Sequence, residues 1–177
     1  MKKITYYVAV SADGFISGLN DDISGFVQQG EGVNQYFKDL QSFDTVIMGR
    51  NTYEFGYKYG MEPGQPAYPN MKHFIFSDSL KLENPHPDVK VLNRDLKHIE
   101  ALKAESGTDI YLCGGGAFAG WLLDNQLIDV LKIKANPLIL GEGVRLFGSS
   151  KTQVQLNRID LQSYDNSLQV VTYEVSY

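Results

Sequence analysis

A single cysteine, three histidines and only four arginines stand among the 177 residues. The lone thiol, Cys113, excludes an internal disulfide and fits a reducing compartment. His73, His86 and His98 fall in unrelated segments without metal-ligand spacing, so no metal site is expected. The arginines (Arg50, Arg94, Arg145, Arg158) and the lysines form no run, and the formal net charge is −5. Binding a polyanion needs a basic face, so nucleic acid is excluded as a main partner. No stretch approaches 18 uninterrupted apolar residues, which argues against a spanning helix and against a membrane partner. The opening MKKITYYVAV is too short and too polar for a signal peptide. A cytoplasmic protein is expected.

What the chain has is ordinary globular composition, 43% hydrophobic and 21% charged. Its length corresponds to one domain, 1–177, with room for a substantial core. Short β-branched and aromatic runs predict strands at Ile4–Val10, Thr45–Met48, Lys72–Phe76, Val89–Leu92, Asp109–Cys113 and Val130–Ala135. Helical spacing predicts helices over Asn34–Ser42, from Gly49-Arg50-Asn51-Thr52, over Asp95–Glu105 and over Ala117–Asn125. Residues 17–32 read as a long polar loop, and Val154–Leu161 with Leu168–Val175 as a terminal antiparallel hairpin. Strands alternate with helices until about residue 135 and strands alone follow. That order predicts an α/β fold: a mostly parallel sheet with helices on both faces and an antiparallel edge.

Three clusters carry chemistry, and each lies just past the C-terminal end of a predicted strand. Cys113-Gly114-Gly115-Gly116-Ala117-Phe118-Ala119 is a glycine turn opening a helix, where backbone N–H groups can meet an anion. It matches G-x-G-x-x-A, yet the following strand ends Lys132-Ile133-Lys134-Ala135-Asn136 without the acid that a Rossmann site wants. In Met48-Gly49-Arg50-Asn51-Thr52 a guanidinium sits at a helix start, where cations are disfavoured unless an anion such as a phosphate is bound. Ser11-Ala12-Asp13-Gly14-Phe15-Ile16 is a polar turn at the mouth of the first strand. Taken singly, each has a bland reading as a tight turn or a solvated surface group. Together they point to a cradle for a phosphorylated dinucleotide. Cys113 reads as packed core rather than nucleophile.

These residues resemble the dihydrofolate reductase fold, and more closely the reductase domain of riboflavin-biosynthesis deaminase/reductases and its small bacterial relatives. The resemblance rests on Met48-Gly49-Arg50-x-Thr52-Tyr53-Glu54, the Gly114–Gly116 turn, Ser11-x-Asp13-Gly14-Phe15-Ile16, Leu127-Ile128-Asp129 and the segment Pro137–Phe147. It implies a three-layer dihydrofolate reductase-like fold, commonly a homodimer, and an NADPH-dependent reductase acting on a small molecule such as 5-amino-6-(5-phosphoribosylamino)uracil. It implies further that Arg50 with Ser77 holds the 2′-phosphate. Thr52 and the Gly115, Gly116 and Ala117 backbone would hold the pyrophosphate, Gly49, Gly114 and Phe118 would belong to the same cofactor site, and Ala9 and Ile16 would bracket the nicotinamide.

The folate-binding carboxylate of dihydrofolate reductases falls here on Val33, which argues against dihydrofolate, with Glu31 two residues away as the atypical substitute. The zinc deaminase signature is absent. The proton that accompanies hydride transfer is assigned first to Asp13, with Glu31, Asp21, Asp22 or water as alternatives. A cofactor-binding module without catalysis and a purely structural homodimer are the rival readings.

Overall fold

The computed structural model describes residues 1–177. Ten strands and four α-helices run in the order β1 (Ile4–Ser11), β2 (Phe15–Ser17), α1 (Glu31–Leu40), β3 (Thr45–Gly49), α2 (Arg50–Phe55), β4 (Lys72–Phe76) and β5 (Val89–Leu92). α3 (Leu96–Ala104), β6 (Ile110–Gly114), α4 (Gly116–Asp124), β7 (Val130–Asn136), β8 (Val144–Arg145), β9 (Gln155–Ser163) and β10 (Gln169–Ser176) follow. Eight strands form one sheet in the order β5-β4-β3-β6-β1-β7-β10-β9. The first six pair in parallel, and β10 joins β7 and β9 antiparallel. The predicted mostly parallel sheet with its C-terminal hairpin is the one observed.

β1 is a run of apolar and aromatic residues because both of its faces are covered. Ile4 and Tyr6 enter one core with Ile110, Leu112, Phe118 and Leu122. Tyr7 enters the other with Val46, Met48, Tyr53 and Tyr111. Asp129, from the segment preceding β7, fastens the start of β1: its carboxylate accepts the Ile4 N–H at 2.7 Å and the Lys103 ammonium at 2.7 Å. Asp95 caps α3 as predicted, accepting the Lys97 N–H at 3.0 Å.

Two departures from expectation matter. α1 begins at Glu31 rather than Asn34, after Gly30 with φ +110°, because the helix start is set by that left-handed glycine and an acidic first residue. Just before the long loop, overlapping it only at Ser17, lies β2, which pairs antiparallel with β8. Strands of three and two residues are too short to leave a periodicity, and their pairing joins positions more than 120 residues apart.

Candidate active site

The topology opens a crevice between β3 and β6. From β3 the chain passes through α2 to β4 on one side, and from β6 through α4 to β7 on the other. In open α/β sheets such a switch point, beyond the carboxyl ends of the strands, is where ligands bind. A cavity of about 420 Å³ lies there, of a size that suits small molecules. Val8, Met48, Gly49 and Cys113 line it at the strand ends, Arg50, Asn51, Thr52 and Phe55 along α2, and Gly115, Gly116, Ala117 and Phe118 at the start of α4.

The strand register explains how Cys113 comes to line it. β3 and β6 pair evenly to Ile47 and Leu112, then slip so that Met48 faces Gly114 and Cys113 is left over. Such a bulge re-aims a side chain next to a site. The thiol stands 3.4 Å from the Tyr68 hydroxyl, and burial pushes its pKa up, which keeps it neutral. Tyr68 is in turn held by His73, whose Nε2 accepts the Tyr68 N–H at 3.0 Å while Nδ1 faces the Met71 carbonyl at 2.9 Å. Burial lowers the His73 pKa, so this neutral imidazole positions a loop rather than a metal.

The glycine turn brings two backbones together. Gly114 has φ +135°, and the Gly114–Gly115 peptide is cis. A Cβ on Gly49 would lie 3.2 Å from that of Phe118, tighter than most packed side-chain contacts. α4 makes its first backbone hydrogen bond at Ala119, whose N–H donates to Gly115 at 2.9 Å, so the N–H groups of residues 116–118 remain free at the cavity. Free donors at a helix start favour an anion.

Arg50 donates through Nε to Glu54 at 2.9 Å and through Nη1 to Ser79 at 3.0 Å. The cation at the helix start therefore has one charged partner, Glu54, and one neutral partner, Ser79. Arg94, after β5, adds a second guanidinium to the lining. The one lining carboxylate, Asp21, is paired with Lys58 at 3.4 Å, and Lys58 also donates to the Asn20 carbonyl at 3.0 Å. That latch holds the 19–23 loop against the segment after α2.

Of the residues singled out for a cofactor, Ile16, Gly49, Arg50, Thr52, Gly115, Gly116, Ala117 and Phe118 converge on this cavity. Gly114, Ala9 and Ser77 do not line it. Ala9 lies one residue beyond Val8, and successive strand residues face opposite sides of the sheet. Ser77 turns its hydroxyl to the N–H groups of Ser79 and Leu80, and Ser79 takes the arginine in its place. Of the proposed proton donors, Asp13 and Glu31 do not line the cavity, whereas Asp21 does. Asp13 accepts the Ser11 hydroxyl at 2.6 Å and the N–H groups of Leu140 and Gly141 at 3.1 and 2.7 Å, which hold its pKa at about 2. A carboxylate so engaged ties loops together and holds no proton to give. Glu31 opens α1, exposed and away from the lining. Arg94, Tyr68 and Val8 line the site without having been singled out. Arg94 follows a strand end just as Arg50 does, so the same rule finds it; Tyr68, in a Tyr/Gly/Pro segment, carries no such signal.

The geometry has counterparts. The chain is 30% identical over 172 residues to the uncharacterized protein YwjB of Bacillus subtilis (strain 168), covering 96% of each chain. A protein from Shewanella sp. PV-4 assigned to riboflavin biosynthesis superposes with TM-score 0.83 over the whole of both chains at 23% identity. A dihydrofolate reductase from Enterococcus faecalis, in complex with NADP(H), superposes with TM-score 0.67 at 17% identity, covering 98% of this chain and 96% of that one. The fold is thus dihydrofolate reductase-like. The model of the RibD C-terminal domain matches residues 2–170, and the chain belongs to that family.

Proposed function

We propose that this protein is an NADPH-dependent reductase that passes a hydride to the C=N or C=O carbon of a small heterocycle, similar to 5-amino-6-(5-phosphoribosylamino)uracil reductase. The observation that carries the reading is the convergence of Arg50, Thr52 and the 115–118 turn on one cavity. The residues fit the cofactor: the N–H groups of Gly116, Ala117 and Phe118 carry no hydrogen bond within the protein, and these residues line the cavity together with Arg50 and Thr52. Arg50, together with Arg94, would hold the 2′-phosphate, because a guanidinium offers a planar fork to a phosphomonoester. Thr52 and the N–H groups of Gly116, Ala117 and Phe118 would hold the pyrophosphate. Ile16 and Val8 would bracket the nicotinamide.

When bound, NADPH supplies the hydride. The chain's part is to hold donor and acceptor in contact, a contribution that reaches about 7–11 kcal/mol when geometry is near-attack. Ser17, Asp21 and Ile23, held by the Lys58 latch, would shield that contact from water. With Asp13 and Glu31 directed elsewhere, the accompanying proton comes from a cavity group or from water.

Thermal unfolding with NADPH, with NADH and without ligand tests the reading. NADPH is expected to raise the melting temperature clearly and NADH much less, since a ligand that binds only the folded state stabilises it by mass action. No shift with either coenzyme overturns it.

A further inference from the structure

One imidazole grips both ends of a turn in the cavity wall. The segment Tyr68–Met71 folds back on itself, the Met71 N–H donating to the Tyr68 carbonyl at 3.2 Å. His73, fully buried on β4, accepts the Tyr68 N–H on Nε2 at 3.0 Å and meets the Met71 carbonyl through Nδ1 at 2.9 Å. A backbone N–H only donates and a carbonyl only accepts. One protonation state therefore serves both contacts, the neutral ring with its proton on Nδ1. The His73 and Tyr68 rings also lie 5.9 Å apart with 13° between their planes.

Tyr68 carries this grip to the cavity. It lines the cavity beside Cys113, and its hydroxyl stands 3.4 Å from the thiol. Its ring meets Tyr111 edge to face at 5.6 Å. The chain just before the turn has a separate anchor on α2, where the Tyr53 hydroxyl donates to the Gln65 carbonyl at 2.8 Å. Loss of the imidazole contact thus frees Tyr68 while the preceding residues stay tied.

An imidazolium carries a proton on each nitrogen. Its Nε2–H would face the Tyr68 N–H, donor against donor, and its charge would be buried. Val46 of β3 and Val89 of β5 flank His73 in the sheet, and Lys90 lies on the other face, 5.9 Å from the Phe74 ring. The charged and titratable groups facing the imidazole are Asp88 and His86, before β5, with the phenols of Tyr68 and Tyr111 on the same side of the sheet. Burial pushes both phenols upward and keeps them neutral. For His73, burial opposes the proton most, His86 adds to that, and Asp88 with the Met71 carbonyl works against it.

We propose that His73 is a positioning residue of this site: its neutral imidazole holds the Tyr68 wall over the Cys113 thiol, and protonation of the imidazole releases that wall. The assignment is independent of which ligand the cavity takes.

A released imidazole regains the ordinary histidine pKa of 6.5, above its value in the closed wall. The closed wall is fully favoured above about pH 6.5. Opening rises about ten-fold per pH unit below that, until the closed-state pKa is reached.

Cys113 is the single cysteine and so a unique reporter of the wall. The test follows its reaction with 2,2′-dithiodipyridine, in which the thiol displaces one 2-thiopyridone, read by absorbance. Rates on the full chain are divided by those of glutathione at the same pH, at about pH 7.5 and about pH 5.5, well below the melting temperature. The relative rate of the wild type is expected to rise about ten-fold at the lower pH. His73→Gln, whose amide oxygen can accept the Tyr68 N–H but takes no proton, is expected to label slowly at both. His73→Leu, which offers no acceptor, is expected to label faster at both, with no rise in acid. His86→Gln keeps the imidazole of His73 and is expected to keep the rise. A flat wild-type profile, a rise retained in His73→Gln, or a rise lost in His86→Gln overturns the proposal. A merely structural histidine would lower the melting temperature of its variants and leave the thiol profile flat.

Discussion

Gly115 lies so close to Thr52 that a Cβ built on it would stand 2.8 Å from the threonine hydroxyl oxygen. Two strand-to-helix turns, 63 positions apart in the chain, are thereby held in contact at the mouth of the cavity. Gly115→Ala is expected to cost about 1–3 kcal/mol of stability through overpacking, and to abolish coenzyme binding by displacing Thr52. Adding Thr52→Ala should recover the stability and not the binding, as read from denaturant unfolding and NADPH titration. Wild-type coenzyme affinity in Gly115→Ala would show that the contact is not part of a binding site.

Arg50→Ala is expected to weaken NADPH binding by about 1.5–3 kcal/mol, the usual worth of a charged hydrogen bond, with NADH hardly affected. Arg94→Ala should act in the same direction, because its guanidinium lines the same cavity. Fluorescence titration with both coenzymes checks this, and an equal loss for the two would remove the 2′-phosphate role. The Arg50–Glu54 pair at 2.9 Å is a partly exposed i,i+4 contact, so the variant should unfold at nearly the wild-type temperature.

Asp13 is expected to matter for stability rather than turnover. Its folded pKa of about 2 lies below the ordinary carboxylate value of 3.8, so its stabilisation is complete above about pH 4 and is lost as pH falls towards 2. Asp13→Asn should therefore melt below the wild type at neutral pH, with the difference closing over that acid window. A constant difference down to pH 2 would contradict the loop-clamping role; a selective fall in turnover at unchanged melting temperature would restore it to the reaction.

Asp129→Ala should destabilise the fold by about 1.5–3 kcal/mol, since it removes the acceptor for both the Ile4 N–H and the Lys103 ammonium. Lys103→Met should cost less, because the carboxylate keeps its backbone partner. Chemical denaturation of the two variants distinguishes a clamp on β1 from an unimportant surface pair.

The alternation of strands and helices was readable in the chain because each parallel strand is buried on both faces and each helix carries one apolar stripe, and burial leaves its mark residue by residue. For the same reason the chain itself places the strand ends, the glycine turn, Arg50 and Thr52 in one region: backbone freedom and charge at a helix start are local properties. Sequence could not say how distant segments meet. β2 and β8 pair across more than 120 residues, a one-residue slip beside Ile47 brings Cys113 to the cavity, and side-chain alternation presents Val8 there instead of Ala9. The carboxylate of Asp13 belongs to the backbone of Leu140 and Gly141, while the ammonium of Lys134 is left with nothing but a tyrosine ring. Hydrogen-bond partners, and the want of one, are set by through-space distance, which the order of residues does not encode locally.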